Sequence, residues 1–111
     1  MNAEQWVDPW PDHPTIRKFD PAREVLVDLD KALNLARNSP RADRVSLRVK
    51  ATGVQLTGVV EAQQLAWVQA SSGSWLAILK VQVNSGNGLN SLVLDICVAA
   101  DAVYPPTSQG T

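Results

Sequence analysis

From Arg44 onward, apolar residues recur at every second position, the spacing that places them on one face of a β-strand. Four segments show this alternation, at residues 44–51, 54–62, 75–83 and 92–98. Stretches rich in Gly, Asn and Ser separate several of them, and a brief segment, 102–104, follows a kink at 99–101 and precedes Pro105. The pattern predicts five strands, of which the last is very short.

One amphipathic helix is predicted ahead of these strands, over residues 21–38. Asp20 and Pro21 suit the N-cap and the first helical position. Apolar residues then recur at spacings of three and four, at Ala22, Leu26, Leu29, Leu33 and Ala36. The chain therefore divides into a proline- and tryptophan-rich N-terminal arm (1–19), a single helix-plus-barrel domain (20–106) and a flexible tail (107–111).

Gly58 interrupts the second predicted strand between Leu56 and Val60. A glycine inside a strand commonly marks a bulge or a sharp bend, and a small sheet must bend strongly to enclose its own core. We therefore predict an α+β fold in which the helix precedes a strongly bent five-stranded antiparallel small barrel. An ordinary hairpin strand that tolerates a glycine is the alternative.

Charge is distributed unevenly along the chain. Nine of the ten Lys and Arg residues lie within the first 50 positions, and beyond them the charged residues are only Glu61, Lys80, Asp95 and Asp101. A sheet with one face in water normally carries more charge than this. We expect the second half to be covered by the N-terminal half or by another copy, which favours a homo-oligomer.

Several features favour a cytoplasmic protein without a membrane partner. No apolar run reaches the roughly 18 residues that cross a bilayer, and the N-terminus lacks the basic start and apolar stretch of a secretory signal. Cys97 is the lone cysteine and lies in an apolar run, where we expect a small buried side chain.

Leu56, Gly58 and Val60 match a Leu-x-Gly-x-Val/Ile pattern, and the stretches 20–66 and 90–106 resemble Sm-like proteins, especially the bacterial RNA-chaperone branch. The resemblance implies a helix, five bent strands, a one-turn kink before the fifth strand and a ring-forming habit. The chaperone's RNA-contacting Tyr-Lys-His falls on Ile96, Cys97 and Val98, so its RNA site is not carried over.

Arg37 and Arg41 resemble the Arg-x-x-x-Arg of PilZ domains, which bind cyclic di-GMP. Two guanidinium groups on a short linker can clamp phosphate oxygens in bidentate fashion. This resemblance implies a cyclic-dinucleotide-responsive module as the alternative function. The family's Asp/Asn-x-Ser-x-x-Gly motif is absent from the matching place, which reads Glu61-Ala62-Gln63-Gln64.

A basic cluster is the first candidate binding site, comprising Arg37, Arg41, Arg44, Arg48 and Lys50. If Arg48 and Lys50 share the outer face of the first strand, they extend a positive stripe that suits the phosphates of RNA. The alternative is that the cluster pairs with carboxylates of the helix or of a neighbouring subunit, at Asp20, Glu24, Asp28 and Asp30.

The tryptophans are candidate contacts to a partner or to another copy, at Trp6, Trp10, Trp67 and Trp75. Tryptophan is enriched at binding hot spots, and packing in the core is the alternative. We expect the arm to dock Trp6 and Trp10 on the sheet of its own or a neighbouring chain.

Nothing in the spacing predicts catalysis. Cys97 has no plausible base, and His13 is the only histidine, so we expect no catalytic residue, metal or cofactor. An enzyme would need a polar pocket built from Asp95, Asp101, Glu61 or the loop at Asn84. We predict a non-enzymatic binding or scaffolding module that acts as a homo-oligomer, with RNA or a protein as its partner.

Overall fold

The computed structural model describes residues 5–10, 12–34 and 45–106, in which five antiparallel strands form one sheet. The elements are β1 (Ile16–Asp28), α1 (Leu29–Leu33), α2 (Leu47–Thr52), β2 (Val59–Gln69), β3 (Trp75–Asn84), β4 (Ser91–Ala99), a 3-10 turn (Ala100–Ala102) and β5 (Val103–Tyr104). The order in the sheet is β4-β3-β2-β1-β5, and the sheet curls into a half-barrel. Within the described part of the chain, no helix has the length and apolar character needed to span a membrane.

The core lies on the inner face of the half-barrel. Alternate residues of β1 and β3 are buried there, together with residues of β2 and β4: Val25, Val27, Ala62, Ala77, Leu79, Val81, Val83 and Val98. Leu29 of α1 joins them, while Lys80 and Gln82, between the buried positions of β3, are exposed on the outer face. The period-two pattern therefore predicted β3 and β4 correctly, and the predicted kink is the 3-10 turn before β5.

The predicted helix over 21–38 is wrong for residues 21–28, which belong to β1. Only Leu29–Leu33 is helical, and residues 35–38 lie outside the described residues. Asp28 is the N-cap instead of Asp20, and its carboxylate accepts a hydrogen bond from the Lys31 backbone N–H at 3.2 Å. Val25 and Val27 explain the difference, because they pair with β2 and bury their branched side chains on the inner face.

The first predicted strand, 44–51, is also wrong, because Leu47–Thr52 forms α2. Ser46 caps this helix by accepting a hydrogen bond from the Val49 backbone N–H at 3.2 Å. The alternation placed Leu47 on a buried face, yet Leu47 is 81% exposed. The sheet still contains five strands, because residues 21–28, which were predicted to be helical, belong to strand β1.

The second predicted strand, 54–62, is wrong for residues 54–58, because β2 begins at Val59. Gly58 lies immediately before β2 and does not bend the strand from within. Its φ of 78° is the left-handed conformation that favours glycine. Its carbonyl accepts the Leu29 N–H at 2.8 Å, and its own N–H donates to Asp30 Oδ2 at 3.1 Å. Gly58 thus ties the start of β2 to α1.

Two register shifts disrupt the regular pairing of the sheet. One lies between Lys18 and Arg23 in the β1–β2 pairing, and the other between Gln64 and Ala66 in the β2–β3 pairing. Irregularities of this kind bend a strand and increase its twist, which is what a half-barrel needs.

The described residues of the N-terminal half leave much of the neutral second half uncovered. Large apolar side chains that remain exposed in the single chain are Val54, Val59, Leu89, Leu92 and Val93. Cys97 is exposed as well, so the prediction of a buried thiol was wrong. Cys97 lies on the outer face of β4, which is an edge strand. An apolar run in the sequence does not show which of its residues face outward. Coverage by another copy stays a prediction.

Candidate functional site

The strand register brings Arg17 to the inner face of the half-barrel beside two tryptophans. Arg17 of β1 lies opposite Trp67 of β2, and Trp67 lies opposite the buried Ala77 of β3. Directly opposed residues of an antiparallel pair share one face, and Trp75, two residues before Ala77, shares it too. The Arg17 guanidinium carbon lies 4.8 Å from the centroid of the Trp75 ring, a cation–π distance.

Arg23 lies over the ring of Phe19 and over that of Trp67. Its guanidinium carbon is 4.6 Å from the centroid of Phe19 and 5.5 Å from that of Trp67. The register shift between Lys18 and Arg23 lies in the stretch that contains Phe19. We call Arg17, Phe19, Arg23, Trp67 and Trp75 the arginine–aromatic surface.

The buried side chain of Gln64 fixes the position of the Arg23 side chain. Gln64 is opposite Arg23 in the β1–β2 register and is 0% exposed. Its Oε1 accepts a hydrogen bond from Arg23 Nε at 2.8 Å, while its Nε2 donates to the Ala66 carbonyl at 3.1 Å. Both ends of a buried amide are therefore satisfied, which fixes the orientation of the guanidinium group.

The two arginines keep their charge available for a ligand. Across residues 5–10, 12–34 and 45–106, the only side-chain ion pair joins Lys31 to Asp101 at 3.7 Å, so no described carboxylate lies within 4.0 Å of Arg17 or Arg23. Both side chains are exposed, while the three rings are half-buried. A guanidinium stacked on a ring presents its N–H groups at its edge, where they can donate to phosphate or carbonyl oxygens.

The arm carries two more exposed tryptophans, of which Trp6 lies at the same end of the sheet. Thr15 links the arm to β2, because its carbonyl accepts the Gln69 N–H at 2.7 Å. Trp6 donates its indole N–H to Asp8 Oδ1 at 3.1 Å and to Thr15 Oγ1 at 3.0 Å. Trp6 nevertheless stays 58% exposed and Trp10 72% exposed, so neither residue is buried on the described sheet of its own chain. Docking on a neighbouring chain stays a prediction.

Asp8 is the acceptor at the centre of this arm network. The Thr15 hydroxyl donates to Asp8 Oδ1, and this hydrogen bond is the largest cause that lowers the pKa of Asp8 below its usual value. Donation from Trp6 and from backbone N–H groups acts in the same direction. Each of these hydrogen bonds favours the ionised carboxylate, so the network is most stable when Asp8 is charged.

The basic cluster predicted from the sequence is described only in part. Arg37, Arg41 and Arg44 lie outside the described residues. Arg48 and Lys50 are exposed on α2 and not on the outer face of a strand. The end of α2 is held to the loop after β3 by hydrogen bonds, Asn87 N–H to the Ala51 carbonyl among them at 2.7 Å. Because Trp75 begins β3, Arg48 and Lys50 lie at the other end of that strand from the arginine–aromatic surface.

Two of the four predicted acidic partners of the basic cluster, Asp28 and Asp30, accept backbone hydrogen bonds. Asp28 caps α1, and Asp30 accepts from the Gly58 backbone. Neither forms an ion pair with Arg48 or Lys50 among the described residues. Pairing of these two carboxylates with Arg37, Arg41 or Arg44, which lie outside the described residues, stays a prediction.

A groove of about 920 Å³, lined by polar and apolar residues alike, lies on the outer face of the sheet. Charged and amide side chains line it, with Glu24, Glu61, Lys80, Gln82 and Asn84 among them. Glu61 and Asn84 are two of the positions that a polar pocket was expected to need, whereas Asp95 and Asp101 do not line it. With two carboxylates against one ammonium group, this groove suits an anion less well than the arginine–aromatic surface does.

Sequence reasoning missed Arg17, Phe19 and Arg23 because it placed them in the arm and the helix. The available signal was the pair of β-branched residues at alternate positions, Val25 and Val27, which favours a strand. Trp67 and Trp75 were identified as contact candidates, and Trp67 also packs against the core. Neither a protein-family model, nor a curated protein, nor a solved structure matches this chain.

Proposed function

We propose that the protein is a non-enzymatic binding module that holds single-stranded RNA on its arginine–aromatic surface and acts as a homo-oligomer. The observation that carries the proposal is the stacking of two guanidinium groups on three aromatic rings, within 5.5 Å of the ring centroids. No described carboxylate neutralises either arginine. An uncompensated cation beside an aromatic ring is the combination that single-strand binders use.

Each part of the surface has a function in this proposal. Unpaired bases stack on aromatic rings, a contribution of about 1–3 kcal/mol per base that depends little on base identity. The guanidinium groups of Arg17 and Arg23 bind phosphate oxygens or stack on the bases themselves. Paired bases cannot reach the rings in this way, because their faces are already stacked in the duplex.

The Sm-like interpretation belongs to the same proposal. Five antiparallel strands, a 3-10 turn ahead of a two-residue β5 and Pro105 directly after it support this interpretation. The RNA surface proposed here differs from the Tyr-Lys-His position of the chaperone, since Ile96, Cys97 and Val98 lie on β4 while the arginine–aromatic surface lies on β1, β2 and β3.

The test is an anisotropy titration of the full chain with fluorescein-labelled oligouridine, at about 50 and about 200 mM salt. Affinity should fall steeply with salt, because binding neutralises phosphates. Arg17→Ala and Arg23→Ala should each weaken binding about tenfold, which corresponds to loss of about 1.4 kcal/mol of binding free energy. Labelled oligothymidine and a cyclic dinucleotide, titrated in parallel, separate RNA from single-stranded DNA and from a small phosphate ligand.

Arg48→Ala and Lys50→Ala are the matched controls, since they remove exposed positive charge from α2 without touching the arginine–aromatic surface. They should leave the affinity within about twofold of wild type. Loss of binding in these two variants with retention in Arg17→Ala and Arg23→Ala would overturn the proposed site. Absence of binding to any single-stranded oligonucleotide at low salt would overturn the function.

A further inference from the structure

The two edges of the sheet differ in how well they are protected from another strand. Strand β4 is an edge strand that pairs with β3 along all nine of its residues. Its sequence, SLVLDICVA, contains no proline or glycine, and Asp95 is its only charged residue. Edge strands normally carry prolines, bulges or lysines that prevent further pairing. Strand β4 has none of these devices.

The opposite edge carries several of them. Strand β5 covers β1 only at Leu26 and Val27. The rest of β1 contains a register shift between Lys18 and Arg23, a proline at position 21 and the basic side chains that precede and follow it. A proline has no N–H to donate to a neighbouring strand. Within residues 5–10, 12–34 and 45–106, this contrast identifies β4 as the edge that is open to another strand.

We propose that β4 of one chain pairs antiparallel with β4 of a second copy about a two-fold axis, which joins two half-barrels through one continuous sheet. An edge strand presents unpaired N–H and C=O groups, and its natural occupant is therefore another strand. In a two-fold interface the same surface meets itself, so the occupant must be complementary to its own sequence. The nearly uncharged β4 meets this requirement.

Charge restricts the register of this interface. Pairing centred on Asp95 would place two carboxylates directly opposite each other, which is unfavourable. Pairing centred on Leu94 or on Ile96 keeps the two carboxylates apart and places Asp95 opposite Val93 or Cys97 of the second copy. Val93 is 58% exposed in the single chain and lies on the same outer face as Asp95. Pairing of the two edges would bury part of this exposed apolar surface. Because the second half of the chain is nearly uncharged, little charge would have to be buried with it.

The test is the solution mass of the full chain, measured by light scattering during size-exclusion chromatography over a range of loading concentrations. Wild type should approach twice the 12.0 kDa of one chain. Val93→Asp places a carboxylate opposite Asp95 of the second copy in the register centred on Leu94, and Cys97→Asp does so in the register centred on Ile96. The double variant Val93→Asp/Cys97→Asp should therefore return the mass to that of a single chain. Gln82→Asp is the matched control, because Gln82 lies opposite Val93 on β3, is also exposed on the outer face and is not on the edge. It should leave the mass unchanged.

Circular dichroism of both variants establishes that they are folded. A wild-type chain that remains a monomer at every concentration would overturn the inference, and so would a folded Val93→Asp/Cys97→Asp variant with the wild-type mass. The inference rests on the homo-oligomer part of the proposed function. Its mass measurement contains no RNA, so its failure is distinguishable from failure of the RNA proposal.

Discussion

Arg23 and Gln64 are joined by a hydrogen bond of 2.8 Å, from Nε to Oε1, although 41 residues separate them in the sequence. Gln64 is fully buried, and its second hydrogen bond, to the Ala66 carbonyl, lies at the register shift of β2. One buried amide therefore links the irregularity of the sheet to the orientation of an exposed guanidinium group.

Substitution of Gln64 tests this link. Gln64→Ala removes both hydrogen bonds and leaves a cavity under the sheet, so the free energy of unfolding should fall by about 2–4 kcal/mol. Urea denaturation followed by tryptophan fluorescence measures the change. Gln63→Ala is the control, because Gln63 is exposed on the outer face, and it should change stability by no more than about 0.5 kcal/mol. Equal effects of the two substitutions would contradict the role assigned to Gln64.

Gly86 is predicted to be essential for the docking of α2 on the loop after β3. A Cβ at this position would lie 2.0 Å from the Lys50 carbonyl oxygen, and the Gly86 N–H donates to the Gly53 carbonyl at 2.9 Å. Gly86→Ala should therefore displace α2 and lower the free energy of unfolding by about 1–3 kcal/mol. Thermal and urea denaturation measure this loss.

Gly88 provides the comparison within the same loop. Its φ is +74°, and nothing lies within 4 Å of the place where a Cβ would stand. Gly88→Asn should be tolerated, because asparagine adopts the left-handed conformation more readily than other side chains. If Gly86→Ala lowered the free energy of unfolding no more than Gly88→Asn does, the Lys50 carbonyl would not lie as close to Gly86 as the structure shows.

The arm network should respond to acid with a defined sign. The pKa of Asp8 is lowered in the folded chain, mainly by the Thr15 hydroxyl, so its stabilising contribution is present above the pKa of an unfolded aspartate. That contribution is lost as the pH falls from about 4 through the folded pKa. A ¹³C NMR titration of the Asp8 carboxyl group measures the shift.

Variants of Thr15 separate the hydroxyl from the rest of the side chain. Thr15→Val removes the donor and should raise the pKa of Asp8 toward its usual value, while Thr15→Ser keeps the hydroxyl and should keep the pKa low. A pKa that is the same in all three proteins would show that the Thr15 hydroxyl does not hold Asp8.

The sequence supported the prediction of β3 to β5 but not of β1. The alternating apolar residues of β3 lie within one short stretch of the chain, and those of β4 lie within another. A local pattern is therefore enough to predict each of these two strands. In residues 22–33, helical spacing and strand alternation coexist, and pairing with β2 decides between them. The arginine–aromatic surface depends on that pairing, because Arg17 reaches Trp75 and Arg23 reaches Trp67 only across strands distant in the sequence. The spacing of residues within one segment does not specify how that segment pairs with a distant strand.

The central claim is that RNA contacts the rings of Trp67 and Trp75, and the indole N–H signals of the four tryptophans test it directly. We would titrate the ¹⁵N-labelled chain with oligouridine and assign each indole signal by its Trp→Phe variant. We expect the signals of Trp67 and Trp75 to shift in proportion to RNA bound. Unchanged signals from these two indoles at RNA saturation, with shifts confined to the α2 amides of Arg48 and Lys50, would contradict it.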